Sequence, residues 1–245
     1  MSGAWLVLPT YNEAENVERI VRAALPQLAA AAPDHHILIV DDGSPDGTGE
    51  IADRLAAEFE AVEVLHRSVK EGLGRAYLAG FERALASGAE LVLEMDADFS
   101  HDPADLPRLI RAADDADLVL GSRYVPGGGV TDWGLFRRAL SRGGSWYARF
   151  VLRVPVRDLT GGFKCFRRSV LEGIDYSRTH ADGYGFQIEL TYRAIHAGFR
   201  VREIPIVFRD RKEGTSKMTA RIAVEAVWKV PALRARSRQS HRYTF

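Results

Sequence analysis

One cysteine, Cys165, in 245 residues excludes an internal disulfide and leaves no thiolate spacing for zinc. That scarcity suits a reducing compartment. No apolar run approaches the ~18 residues that cross a bilayer, and Met1 to Leu8 is too short for a secretory leader. The chain is therefore expected to carry no membrane span. Net charge is zero but lopsided, with 3 Lys/Arg against 11 Asp/Glu in residues 1–60 and 12 against 4 in 200–245; no nucleic-acid partner is expected. Internal repeats and low-complexity linkers are also missing, which excludes a solenoid or a string of tethered modules.

What the chain does have is a regular alternation. Trp5–Leu8 is a short apolar strand, after which Asn12 and Glu15 suggest a capping box. Val17, Ile20, Val21, Ala24 and Leu28 then follow at helical spacing. ILIV (37–40) predicts a buried strand, DDGSPDGT a turn, and Ile51, Leu55 and Phe59 a helix face. Val62–Leu65, a helix from about Leu73, LVLEM, a helix opened by Asp102-Pro103, and DLVLG continue the pattern. Such β-α-β-α order predicts an α/β fold, a mostly parallel central sheet with flanking helices. Beyond residue 125 the alternation stops. Gly127-Gly128-Gly129 is expected to turn, Trp133–Leu152 and Tyr184–Ala197 to be helical, and FRVREIPIVF (199–208) to be an edge strand. This half reads as a cover over the sheet's working edge. Residues 1–217 are taken as one domain, and 218–245 as a C-terminal helix and basic tail.

Ligands of open α/β sheets collect at the carboxyl ends of the strands, and four such ends carry polar clusters. These are Thr10-Tyr11-Asn12-Glu13, Asp41-Asp42, Asp96-Ala97-Asp98 and Ser122-Arg123. The third is the most pointed, because LVLEMDADFSHDP ends a buried strand in two carboxylates one residue apart. Residues two apart face the same side of an extended chain, so Asp96 and Asp98 can reach one divalent cation. Mg²⁺ takes one or two protein carboxylates and completes its shell with water and phosphate oxygens. An isolated D-x-D would read as a solvated turn; its place among the other polar strand ends favours the cation. His101 and His180 lie near the motifs without a paired ligand or nucleophile, and read as local hydrogen-bonders. Composition and spacing alone thus point to a metal-assisted enzyme acting on a nucleotide diphosphate.

VLPTYNEAENV, VDDGSPDGT, EMDADFSHDP, GSRY, LTGGFKCFRR and DRKEGTSK, in this order, resemble the dolichol- or polyprenol-phosphate mannose synthases of glycosyltransferase family two. The resemblance covers roughly residues 5–217. It implies a GT-A fold with a C-terminal cover. The activity implied is transfer of mannose from GDP-mannose to a polyprenyl (dolichyl) phosphate, with inversion to a β-linked product. By that resemblance Pro9, Tyr11, Glu13, Val40 and Asp42 line the nucleotide pocket; strand alternation turns Asp41 the other way and gives it a structural role. Asp96, Ala97 and Asp98 meet the diphosphate, and Asp96, Asp98 and Ser100 hold Mg²⁺ or Mn²⁺. Arg123, Arg211 and Lys217 face the donor phosphates, with Asp98, Arg211 and Lys217 nearest the chemistry. Arg137 and Ser141, four apart on one helix face, match the acceptor-phosphate positions.

A lipid-bound acceptor implies a peripheral place on the cytoplasmic face of the membrane, with a membrane partner subunit as a further possibility. Arginines and aromatics along Trp133–Leu152 fit an interfacial helix, although the same residues also suit a packed cover. Two rival readings stay open. One is a polyprenyl-phosphate glucosyltransferase using UDP-glucose. The other is a catalytically idle nucleotide-sugar binding protein, which would have no reason to keep Asp96, Asp98, Arg211 and Lys217 together.

Overall fold

The computed structural model describes residues 3–176, 179, 184–210 and 230–235. The first half alternates in chain order. β1 (Ala4–Thr10), α1 (Val17–Ala31), β2 (His35–Asp41), α2 (Thr48–Glu58), β3 (Val62–His66) and α3 (Leu73–Ala86) lead to β4 (Leu91–Glu94). A 3₁₀ turn (Pro103–Asp105) then runs into α4 (Leu106–Ala112) and β5 (Leu118–Ser122). The second half adds β6 (Gly129–Val130), α5 (Leu135–Leu152), β7 (Lys164–Arg167), α6 (Arg168–Ile174), α7 (Tyr184–His196), β8 (Val201–Pro205) and β9 (Val207–Phe208).

The inner strands read as continuous apolar runs because both of their faces are buried. Along β1, Leu6 and Leu8 join one core with Ile20 of α1, Leu55 of α2 and Leu109 of α4. Trp5 and Val7 point the other way, into a second core with Tyr77 and Phe81 of α3, Leu171 of α6 and Leu190 of α7. Phe186, Leu190 and Ala194 form one face of α7 and are buried in that second core. Gly80 sets how closely α3 lies on β1: a Cβ there would meet Val7 Cγ1 at 2.4 Å. One turn earlier on the same helix, Tyr77 is thereby brought down against the sheet.

Seven strands form the main sheet in the order β3-β2-β1-β4-β7-β5-β8. All neighbours are parallel except β7, which is antiparallel to both β4 and β5. The expected mostly parallel sheet with flanking helices is therefore present. The reading of everything beyond residue 125 as a cover is corrected, since β7 is inserted in the middle of the sheet and β8 extends its edge. A four-residue antiparallel strand carries no local mark of the register it will take. Gly129, expected in a turn, begins β6, which pairs with β9. The Asn12–Glu15 capping box does not form either. Asn12 has φ 58, and α1 starts after Asn16, whose Nδ2 donates instead to Glu13 Oε2 at 2.9 Å.

Candidate active site

The carboxyl ends of the parallel strands and the start of antiparallel β7 share one edge, and most of the expected residues stand there. Pro9 and Val40 are buried register partners on β1 and β2. Thr10 Oγ1 donates to Asp41 Oδ1 at 3.1 Å, and Ser44 Oγ donates to the same oxygen at 2.6 Å. Asp41 therefore knits two strand ends together, the structural role expected of it. Asp42, only 5% exposed, turns the other way and accepts from Arg67 Nη1 at 2.5 Å. Burial pushes the Asp42 carboxyl above its ordinary range, and Arg67 offsets only part of this. Lys70 Nζ sits 3.6 Å above the centre of the Tyr11 ring. The Glu13 backbone N–H is anchored on Thr48 Oγ1 at 2.9 Å.

At the end of β4 three carboxylates follow at alternate positions. Glu94 is fully buried opposite Lys164, Asp96 is half-buried, and Asp98 is 6% exposed. Burial raises the Glu94 carboxyl to about 7, against the pull of Lys164. It lowers the Lys164 ammonium to about 8, against the pull of Glu94. Lys164 Nζ donates to the Gln187 carbonyl oxygen at 2.9 Å and to its amide Oε1. Tyr77 OH donates to Asp96 Oδ1 at 3.2 Å, and burial with the nearby carboxylates keeps that phenol protonated. Asp98 Oδ1 accepts from the Ser100 backbone N–H at 3.0 Å. Ser100 Oγ is itself buried without a hydrogen-bond partner among the described residues. Ala97 turns its methyl into the core below.

Two carboxylates and a buried hydroxyl make a small, all-oxygen donor set. Among the described residues no cluster of three or more His, Cys, Asp or Glu side chains is arranged around a point. That composition suits a hard cation that keeps room for water and phosphate oxygens, and it does not suit zinc. The orphaned Ser100 hydroxyl beside Asp98 is what such an ion would satisfy.

Arg123 is not presented as an open cation. Its Nε and Nη2 each donate to Asp158 at 2.7 Å, its backbone N–H donates to Asp158 Oδ2 at 3.0 Å, and Nη2 also reaches Thr160 Oγ1 at 2.8 Å. The charge expected at the donor phosphates is thus matched by a buried carboxylate. The pair clamps the end of β5 to the LTGG turn before β7. Arg137 and Ser141 do share the inward side of α5, as expected. Arg137 Nη1 donates to both oxygens of Asp210, at 2.8 and 2.7 Å, and its guanidinium lies 4.3 Å from the centre of the Trp133 ring. Ser141 Oγ accepts from Tyr124 OH at 2.7 Å. A cavity of about 410 Å³ beside α1 has both Asp98 and Asp210, the partner of Arg137, in its wall. His101 is wedged between the Phe163 and Phe208 rings. Arg211, Lys217 and His180 lie outside the described residues.

Sequence reasoning missed Arg67, Asp158, Asp210, Tyr77 and Lys164. Arg67 had a usable signal, since it directly follows β3 just as the recognised clusters follow other strands. Asp210 and Lys164 lie inside the quoted motifs DRKEGTSK and LTGGFKCFRR but were given no role there, whereas Tyr77 and Asp158 become site residues only through contacts across the fold.

The family model for glycosyl transferase family 2 matches residues 5–175. The chain is 51% identical over 227 residues to the polyprenol monophosphomannose synthase of Mycolicibacterium smegmatis, covering 92% of this chain and 84% of that protein. It is 46% identical over 221 residues to the undecaprenyl-phosphate mannosyltransferase of Micrococcus luteus, covering 90% and 89%. Among solved structures, glucosyl-3-phosphoglycerate synthase from Mycobacterium tuberculosis, in complex with phosphoglyceric acid, superposes with a TM-score of 0.70. That match has 19% identity and covers 96% of this chain and 80% of that one. The same enzyme with Mn²⁺, UDP-glucose and phosphoglyceric acid gives a TM-score of 0.68 at 18% identity, covering 96% and 80%.

Proposed function

The chain belongs to glycosyl transferase family 2, and from that premise we propose that it moves mannose from GDP-mannose to a polyprenyl phosphate, giving polyprenyl β-D-mannosyl phosphate. The observation that carries this reading is 51% identity to a polyprenol monophosphomannose synthase across 92% of the chain. The strand-end carboxylates supply the matching chemistry. Pro9, Val40, Tyr11, Glu13 and Asp42 hold the nucleoside, with Arg67 fixing the Asp42 carboxylate. Asp96, the Ala97 backbone, Asp98 and Ser100 form the diphosphate end. Mg²⁺ or Mn²⁺, when held by Asp96, Asp98 and Ser100, neutralises charge on the departing diphosphate. Arg211 and Lys217 are assigned to the donor phosphates from the sequence. Arg123 serves that end indirectly, by holding the LTGG turn.

Inversion requires one in-line displacement. An acceptor phosphate oxygen forms the new bond to the anomeric carbon, and the bond from that carbon to the diphosphate oxygen breaks, its electron pair leaving with GDP. A phosphate monoester has a second pKa of about 6, so at neutral pH it arrives already ionised. No base has to remove a proton at the moment of attack. The protein's contribution is alignment and electrostatic stabilisation. Arg137 offers the acceptor phosphate a guanidinium fork and Ser141 a hydroxyl.

The polyprenyl tail stays in a bilayer, so the acceptor phosphate has to be met at a membrane surface. Among the described residues no helix is long and apolar enough to cross one. The outward side of α5 instead exposes Leu135 (84%), Trp146 (66%) and Phe150 (69%), the last two stacked at 5.7 Å. Arg138, Arg142 and Arg149 are exposed along the same helix. Apolar anchors among cations describe a helix that lies in the interface of an anionic leaflet, here the cytoplasmic face. A membrane partner subunit is compatible with this docking.

The deciding experiment incubates the purified chain with radiolabelled GDP-mannose or UDP-glucose, a divalent cation and polyprenyl phosphate vesicles. Labelled lipid is expected from GDP-mannose alone. It should disappear in EDTA and in Asp98→Ala with the fold intact. Label from UDP-glucose alone would turn the reading to the glucosyltransferase, and label from neither to an idle nucleotide-sugar binder.

A further inference from the structure

Asp96 is flanked unequally. On one side stands Gly162, where an added Cβ would lie 3.9 Å from each carboxylate oxygen. On the other stands the Tyr77 hydroxyl, 3.2 Å from Oδ1. Tyr77 is fully buried, its ring 6.0 Å from those of both Phe81 and Phe186 and nearly parallel to the latter. Those two phenylalanines show what packing alone asks of this core, an apolar ring. The extra oxygen at Tyr77 is a buried polar group, and it is directed at a carboxylate of the proposed metal site. Two residues before Asp96, Glu94 is fully buried at the register position opposite Lys164.

We propose that Tyr77 is a positioning residue for Asp96: its hydroxyl holds one carboxylate oxygen and so orients the other toward the divalent cation and donor diphosphate. The inference rests on Asp96 being a metal ligand. Groups that hold a ligating side chain in place commonly contribute about 10–100-fold in metal affinity, and Tyr77 reaches Asp96 directly. The substitution that isolates this role is Tyr77→Phe. It removes one oxygen and keeps the ring packing.

Mn²⁺ binding to the full chain is titrated by electron paramagnetic resonance in the presence of GDP, for wild type, Asp96→Asn and Tyr77→Phe. Thermal midpoints are measured without metal. Tyr77→Phe is expected to weaken Mn²⁺ binding by about tenfold while its metal-free midpoint stays close to wild type. Its transfer rate should recover as Mn²⁺ is raised to saturation, a rescue that a packing defect would not show. Mn²⁺ affinity equal to wild type overturns the inference while leaving Asp96 as a ligand. A rate loss that saturating Mn²⁺ does not restore also overturns it. If wild type binds Mn²⁺ and Asp96→Asn binds it equally well, the premise falls and the role of Tyr77 falls with it.

Discussion

Removing the Asp158 carboxylate should destabilise the protein more than its one-residue scale suggests. Asp158 is fully buried as a side chain and its partner Arg123 is 5% exposed, so neither charge is screened by water. Three Arg123 donors lose their acceptor in Asp158→Ala, the backbone N–H, Nε and the Nη2 bond to Oδ1. The guanidinium cannot discard its proton, and a buried charge left without its partner costs about 3–5 kcal/mol. For a chain of this length 1 kcal/mol shifts the midpoint by about 2–4 °C. The variant should therefore melt about 6–20 °C below wild type, followed by circular dichroism.

The same pair makes stability depend on acid. Burial alone would raise the Asp158 carboxyl, but the Arg123 charge and hydrogen bonds outweigh it and hold it below the usual range. A depressed carboxyl binds fewer protons folded than unfolded, so its contribution is complete above the ordinary aspartate value of about 3.9. It is lost as pH falls through the lower, folded value. Asp158→Ala should remove that part of the acid sensitivity. A midpoint within about 2 °C of wild type would refute the reasoning. Replacing both partners by apolar residues, as in Arg123→Met with Asp158→Leu, should recover much of the loss, since no uncompensated charge remains.

Two further outcomes follow from α5. Arg137→Ala should raise the KM for polyprenyl phosphate by about tenfold or more, the scale of one charge-assisted hydrogen bond, and leave the KM for GDP-mannose unchanged; equal effects on both would place Arg137 elsewhere. Replacing Trp146 and Phe150 together by serine should weaken flotation with anionic vesicles by tenfold or more, taking about 1.5–3 kcal/mol per buried aromatic as the upper limit, and flotation unchanged by the pair would mean that α5 does not dock.

Legibility in the sequence followed the range of the interactions. Runs such as ILIV and LVLEM announce strands because both faces of β2 and β4 are buried, and the one polar residue in them, Glu94, lies at the very end of β4. Asp41 and Asp42 were separable by strand alternation alone, and the structure turns them to opposite sides. The position of β7 was not legible. Lys164 reads as an ordinary cation in FKCFRR, yet antiparallel pairing places it opposite Glu94 and fully inside. Arg123 failed for the same reason. Its partner is 35 residues away, in a segment with no motif of its own before Leu159. Strand ends can be read locally, but the identity of a buried counter-charge depends on the register of the whole sheet.

The disposition of the acids at this edge also bears on what kind of acceptor it can serve. Asp41 is bound to Thr10 and Ser44, Asp42 to Arg67, Asp158 to Arg123 and Asp210 to Arg137. Asp102 caps the 3₁₀ turn through the Ala104 N–H, with Arg209 Nη2 3.4 Å away. Glu94 has a carboxyl near neutrality, as a general base would need, but it is sealed beneath Asp96 with no exposed surface. His101, three residues beyond Asp98, is held between aromatic rings. Among the described residues, then, the acids beside the β4 end are either matched to a cation or hydroxyl, buried, or committed to the diphosphate end. A hydroxyl acceptor would need one of them released to take its proton. A phosphate acceptor needs none, because it brings its own negative charge and asks the protein for cations and donors. In the proposed reading Arg137 and Ser141 supply them, and Asp210, which holds Arg137, shares a cavity wall with Asp98.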